Sequence, residues 1–176
     1  MIEISQIHIE SGDPLDKLMN HLEGRVFHVT KACYWPEIYA SGEINPNING
    51  ELKTSFGSSK NSYFKNKGCV SLFDYRNIYE EEPQKHMYKC CPTNPLNADS
   101  GVAILIFKPE IHSKLQSWEG WKNGDLSQMV VPHVEAGYFG SIPLSLVEKV
   151  IIVTISEDRN SLAAMLRGSV ARNKDG

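Results

Sequence analysis

The chain has 176 residues, 41% hydrophobic and 22% charged, with a formal net charge of −3, the composition of a globular protein long enough for one well-buried core. So small a charge gives no global attraction to nucleic acid or to an acidic membrane, and any polyanion would have to be held by a local patch. The start carries no basic, apolar leader and no segment approaches the roughly 20 apolar residues of a membrane span, so one cytoplasmic domain over residues 1–176, without membrane contact, is expected.

Residues 2–9 alternate apolar and polar side chains with one slip near Gln6, the pattern of a half-exposed strand. Asp13-Pro14 then opens a helix with a capping residue and a first-turn proline, and Leu15, Leu18, Met19 and Leu22 share one face before Gly24 ends it. Residues 25–30 read as a strand and 34–40 as a short helix stopped by Gly42. From Asn45 to Gly68 the chain is rich in Asn, Ser, Gly and Lys without apolar period, which predicts a long loop, either functional or disordered. A central strand is expected over 68–75, a charged and partly helical stretch over 76–91 interrupted by Pro83, and turns over 92–101. Val102 to Phe107 is the most apolar run and should be a buried strand. A short helix is expected over 110–121, a turn at 122–125, a strand carrying Glu135, one helical turn over 143–147, a buried strand over 150–155 and an amphipathic helix over 157–172.

Strands here are not separated by regular helices, which favours a mixed or antiparallel α+β fold over a doubly wound sheet. Neither the dinucleotide-binding glycine pattern nor the P-loop occurs, so any nucleotide must be held another way. The four cysteines, Cys33, Cys69, Cys90 and Cys91, show no zinc-type spacing and read as reduced thiols. His86 and Cys90 could form a helical metal pair but lack two further ligands nearby, so no metal is expected. The informative residues are polar groups on otherwise apolar strands: His28 in Phe27-His28-Val29-Thr30, and Glu135 a hundred positions later. Burying an ionisable side chain without a partner costs several kcal/mol, so each is satisfied locally or retained for chemistry. An imidazole and a carboxylate suffice to grip a ribose and to stabilise positive charge on its anomeric carbon.

The strand Phe27 to Thr30, the helix ending in Ser41-Gly42-Glu43-Ile44, the strand Gly68 to Phe73, and the tail from Glu135 through Ile142-Pro143-Leu144-Ser145-Leu146-Val147 into Lys149 to Val153 together resemble the ADP-ribosyltransferase fold, and within it the DNA-modifying toxins of the DarT type. That resemblance implies a mixed or antiparallel two-sheet core with peripheral helices and NAD held as substrate between the sheets. It assigns His28 to a ribose hydroxyl, Val29 or Thr30 backbone to the nicotinamide amide, and Glu135 to the nicotinamide ribose, where it stabilises an oxocarbenium-like transition state. It gives a pocket role to one of Ser71, Phe73 and Tyr75, which the sequence does not separate. The family's Arg after the first strand is not matched in place, since Arg76 comes after the next strand; of the basic residues Lys31 and Lys53, Lys53 is expected to meet the pyrophosphate as a point charge, without bidentate geometry.

The stretch from Lys60 to Lys67 interleaves Lys60, Lys65 and Lys67 with Tyr63 and Phe64, a composition able to bind single-stranded nucleic acid by stacking and phosphate contact. Tyr63, Lys65, Lys67 and His133, the last expected on the strand face of Glu135, are therefore candidate acceptor contacts. Trp118 and Trp121 suit helix packing or base stacking, and Glu80 to Glu82 a solvated acidic run. The expected activity is NAD-dependent transfer of ADP-ribose to a nucleic acid, such as a base in single-stranded DNA, or to a protein, with an antitoxin or partner protein as a further binder. The alternatives are an RNA 2′-phosphotransferase of the same fold, or a binding module that keeps the cleft without turnover.

Overall fold

The computed structural model describes residues 2–56, 60–124 and 127–156. The helix expected over 157–172 lies outside them. The strands are β1 (Glu3–Ile9), β2 (Val26–Lys31), β3 (Glu43–Ile44), β4 (Cys69–Asp74), β5 (Val102–Phe107), β6 (Leu115–Gln116), β7 (Glu135–Phe139), β8 (Ile142–Pro143) and β9 (Val147–Ile155). The helices are α1 (Pro14–Leu22), α2 (Trp35–Ser41), α3 (Tyr63–Asn66) and α4 (Glu81–His86). Seven strands form one sheet in the order β1-β9-β5-β2-β4-β7-β6, while β3 and β8 pair as a separate two-stranded sheet. Only the β1·β9 pair is parallel; the other pairings are antiparallel. The result is a mixed α+β fold with two sheets of very unequal size.

All six residues of β5 are buried, which explains why the most apolar run of the chain occupies an interior place in the large sheet, with covers on both faces. On one face Phe27, Val29, Ile104, Ile106, Ile151 and Val153 pack with Leu18 and Leu22 of α1. On the other, Val26, Ala103, Leu105, Phe107 and Val150 pack with Trp35, Ile111, Ile142 and Leu144. Helix α1 starts where the sequence places it, because the Asp13 carboxylate accepts from the amides of Leu15 and Asp16. Gly42, at φ +78°, ends α2 in the left-handed conformation that only glycine adopts without cost.

Two expectations are corrected. The helix expected over 110–121 is replaced by 3-10 turns at Pro109–Lys114 and Trp118–Asn123 separated by β6. Leu115 and Gln116 pair with Tyr138 and Gly137 and so complete the edge of the sheet, and the Ser117 hydroxyl caps the second turn by accepting from Glu119. The loop over 45–68 is not uniformly open either. Ser62 caps the single turn of α3, and this turn carries Tyr63 and Phe64 into the interior, at 8% and 2% exposure. The Phe64 ring closes on Gly137, where any Cβ would collide with it. Gly137→Ala should therefore cost about 1–3 kcal/mol, the usual penalty of overpacking, read as a lower urea midpoint with an unchanged slope; an unchanged midpoint would mean that Phe64 is not seated there.

Candidate functional site

The large sheet has a break in it. β2 stays paired with β5 along its length, from Phe27↔Ile106 to Lys31↔Val102, and β4 stays paired with β7 from Phe73↔Glu135 to Cys69↔Phe139. Between β2 and β4 the register covers only Val26↔Asp74 and Phe27↔Phe73. Antiparallel strands turn their backbone groups to alternate sides, and Tyr75 N–H donates to the Arg25 carbonyl at 2.8 Å. The same phase directs the backbone of Phe27, Val29 and Lys31 toward β4, and that of Phe73 and Ser71 toward β2. A continuing ladder would set Val29 opposite Ser71. Instead the Ser71 carbonyl accepts from His28 Nδ1 at 3.0 Å, and one step further the Lys31 amide donates to Ser55 Oγ at 2.9 Å. The Ser55 hydroxyl also meets Thr30 Oγ1 at 3.2 Å. The strands thus leave a gap in the ladder, here termed the slot, with the Val29 backbone on one side, Ser71 on the other and Ser55 across its far end.

His28 is half-buried, and burial lowers its pKa more than the bond to Ser71 raises it, so the ring is held neutral. A carbonyl can only accept, which assigns the proton to Nδ1 and leaves Nε2 with a lone pair. That nitrogen can take a hydrogen bond from a sugar hydroxyl.

Glu135 opens β7 half-buried. Its Oε2 accepts from the Val131 amide at 2.6 Å. Burial raises the pKa of the carboxyl, and the Val131 bond pulls partly against it. The Cys90 thiol is pushed up to about 12, first by burial and then by the nearby Glu135, which makes it a poor nucleophile.

Facing residues on paired strands share a side of the sheet, so Glu135, Phe73 and Phe27 lie on one face and His28 turns to the other. The imidazole and the carboxylate therefore do not close on one sugar-sized hollow: β4 runs between them. Ser71 links the two sides, because its carbonyl holds His28 while its position opposite Gly137 puts its side chain on the face of Glu135.

Of the three residues competing for the pocket role, Phe73 and Tyr75 are core, at 6% and 0% exposure. Their rings close against Phe27 at 5.2 and 5.0 Å, so the aromatic stacking they supply goes into the fold. Ser71 alone of the three stands at the slot. Burial likewise removes Tyr63 as a stacking contact. Lys53 and Lys67 are exposed and Lys65 is half-buried, with Lys67 Nζ 5.8 Å from the centre of the Tyr63 ring. His133 is not on the strand of Glu135 but in the turn before it, at φ +62°, a conformation uncommon for a non-glycine residue. Ser55 and Val131 were not singled out: a hydroxyl in a polar loop and a backbone amide in an apolar run carry no signal in sequence.

No family model, curated protein or solved structure matches the chain. Among the described residues there is no group of three or more His, Cys, Asp or Glu placed to hold a metal ion, and no helix is long and apolar enough to cross a membrane.

The raised pKa of Glu135 has a definite sign for stability. The folded chain binds this proton more tightly than the unfolded chain, so the contribution to stability is present in acid and is lost as pH rises through the folded pKa. Glu135→Gln, which keeps an acceptor for Val131, should raise the Tm at about pH 8 and leave it unchanged near pH 4. A Tm lowered at the alkaline end would show that the carboxylate is stabilised where it sits.

Proposed function

We propose that the chain is an NAD-dependent ADP-ribosyltransferase whose nicotinamide end is held in the slot between β2 and β4. The observation that carries this reading is the parting of the ladder after Phe27↔Phe73. It leaves the Val29 N–H and C=O directed at a neighbouring strand with which no register continues, and a carboxamide offers the complementary acceptor and donors in the same plane. A ligand amide would replace the missing rung, as an added strand does at a sheet edge. The neutral Nε2 of His28 suits a ribose hydroxyl on its own face, and the Thr30 and Ser55 hydroxyls close the end. Glu135 supplies the carboxylate for the oxocarbenium-like ribose. It would act from the opposite face, beside Ser71, so the sugar has to reach past the end of the slot rather than lie between the two groups. The likeness of the strand blocks to DarT-type toxins supports a nucleic acid acceptor, such as a base in single-stranded DNA, met by Lys65 and Lys67, with Lys53 as a point charge for the pyrophosphate and the reaction in the cytoplasm.

A second reading, a module that binds NAD without turnover, is favoured by one observation: His28 and Glu135 leave opposite faces of the sheet. Nicotinamide release and NAD affinity, measured together, separate the two. The enzyme reading expects release by the parent chain, lost by a factor of about 10² or more in Glu135→Gln, with affinity weakened about tenfold in His28→Ala. Binding without release from either protein selects the module, and absence of NAD binding rejects both.

A further inference from the structure

Residue 135 is tied to Val131 twice. Its amide donates to the Val131 carbonyl at 3.0 Å, and its carboxylate accepts from the Val131 amide at 2.6 Å. The two bonds close a tight turn over residues 131–135 that fixes where the carboxylate points. His133 sits inside this turn with its backbone in the left-handed region, which strains most side chains with a Cβ, though His, like Asn and Asp, enters it more readily than others. Its ring is gripped from two other parts of the chain. Trp118, in the 3-10 turn after the edge strand β6, lies 4.5 Å away; His86, at the end of α4, stacks nearly parallel at 5.9 Å. The outer members are held in turn, since Lys122 Nζ stands 4.5 Å over Trp118 and Lys89 Nζ meets His86 Nδ1 at 2.8 Å.

We infer that His133 is a positioning residue for Glu135: the column His86, His133, Trp118 holds the turn over 131–135 in its strained form, and so holds the Val131 amide on the carboxylate. From the proposed activity this takes only that Glu135 is the working carboxylate. A β-branched side chain resists the left-handed region, whereas asparagine adopts it more readily than most residues. His133→Val should therefore open the turn, His133→Asn should largely restore it, and Trp118→Leu should loosen it from outside without touching the turn's own backbone.

Two readouts on the full-length chain need no substrate. Amide exchange at Val131 should be about tenfold faster in His133→Val and several-fold faster in Trp118→Leu, with His133→Asn close to the parent. The Glu135 carboxyl, followed by NMR, should titrate at a pH displaced from the parent's in the first two variants, because both its burial and its bond to Val131 depend on the turn. Parent-like exchange at Val131 and a parent-like Glu135 titration in Trp118→Leu would overturn the assignment, and this variant decides the matter alone if His133→Val fails to fold. Since neither readout involves NAD, a chain that shows both shifts but releases no nicotinamide would retain the positioning role and lose the enzyme reading.

Discussion

One side-chain hydrogen bond, from His28 Nδ1 to the Ser71 carbonyl, stands where the next backbone rung between two adjacent strands should be. A buried carbonyl without a partner costs about 1–3 kcal/mol, so two strands in the middle of a core cannot simply separate. Here the imidazole satisfies Ser71, and the Ser55 hydroxyl satisfies Lys31 beyond it. The sheet tolerates a gap at its centre because side chains take up the Ser71 carbonyl and the Lys31 amide, leaving the groups of Val29 for a ligand. Burial keeps His28 neutral against the pull of that bond, and with its proton on Nδ1 the ring keeps a lone pair on Nε2, so a replaced rung and a binding group arise from one residue.

The electrostatics around the slot follow from burial. Among the described residues neither His28 nor Glu135 meets an opposite charge that would hold it ionised; desolvation is the leading influence on both, lowering the imidazole and raising the carboxyl. Each is thereby moved toward its neutral form. The cost of keeping a charge on Glu135 is offset by a single backbone amide, Val131, which makes the turn around that amide as consequential as the carboxylate itself. A carboxylate of this kind answers strongly to positive charge brought next to it, since there is little water to screen the attraction.

Much of the scaffold was legible in the chain. Apolar runs located β2, β4, β5 and β9, and the Asp13-Pro14 pair located the start of α1, because burial and capping leave marks at fixed spacing. His28 and Glu135 stood out as polar residues on apolar strands, and both do carry specific hydrogen bonds. What periodicity could not give was the face each would take. The parity of a residue within its strand is readable, but the register that relates one strand to another, Phe27 to Phe73 to Glu135, is set by long-range pairing. Tyr63 and Phe64 were misread for a related reason: a polar, lysine-rich context suggests a solvated loop, yet Gly137, over seventy positions away, provides the flat backbone on which Phe64 rests. The residues that hold the site act through backbone amides or small hydroxyls, Val131 and Ser55, which sequence composition does not distinguish.

A binding role for the slot requires that its Val29 edge receive a ligand. Amide chemical shifts of the labelled chain, followed during addition of nicotinamide and then of NAD, address this directly. Saturable displacement of the Val29 and Ser71 amides together with the His28 ring, by both compounds, is the predicted result. Saturable shifts confined to another part of the surface, or none at all at Val29, would contradict it.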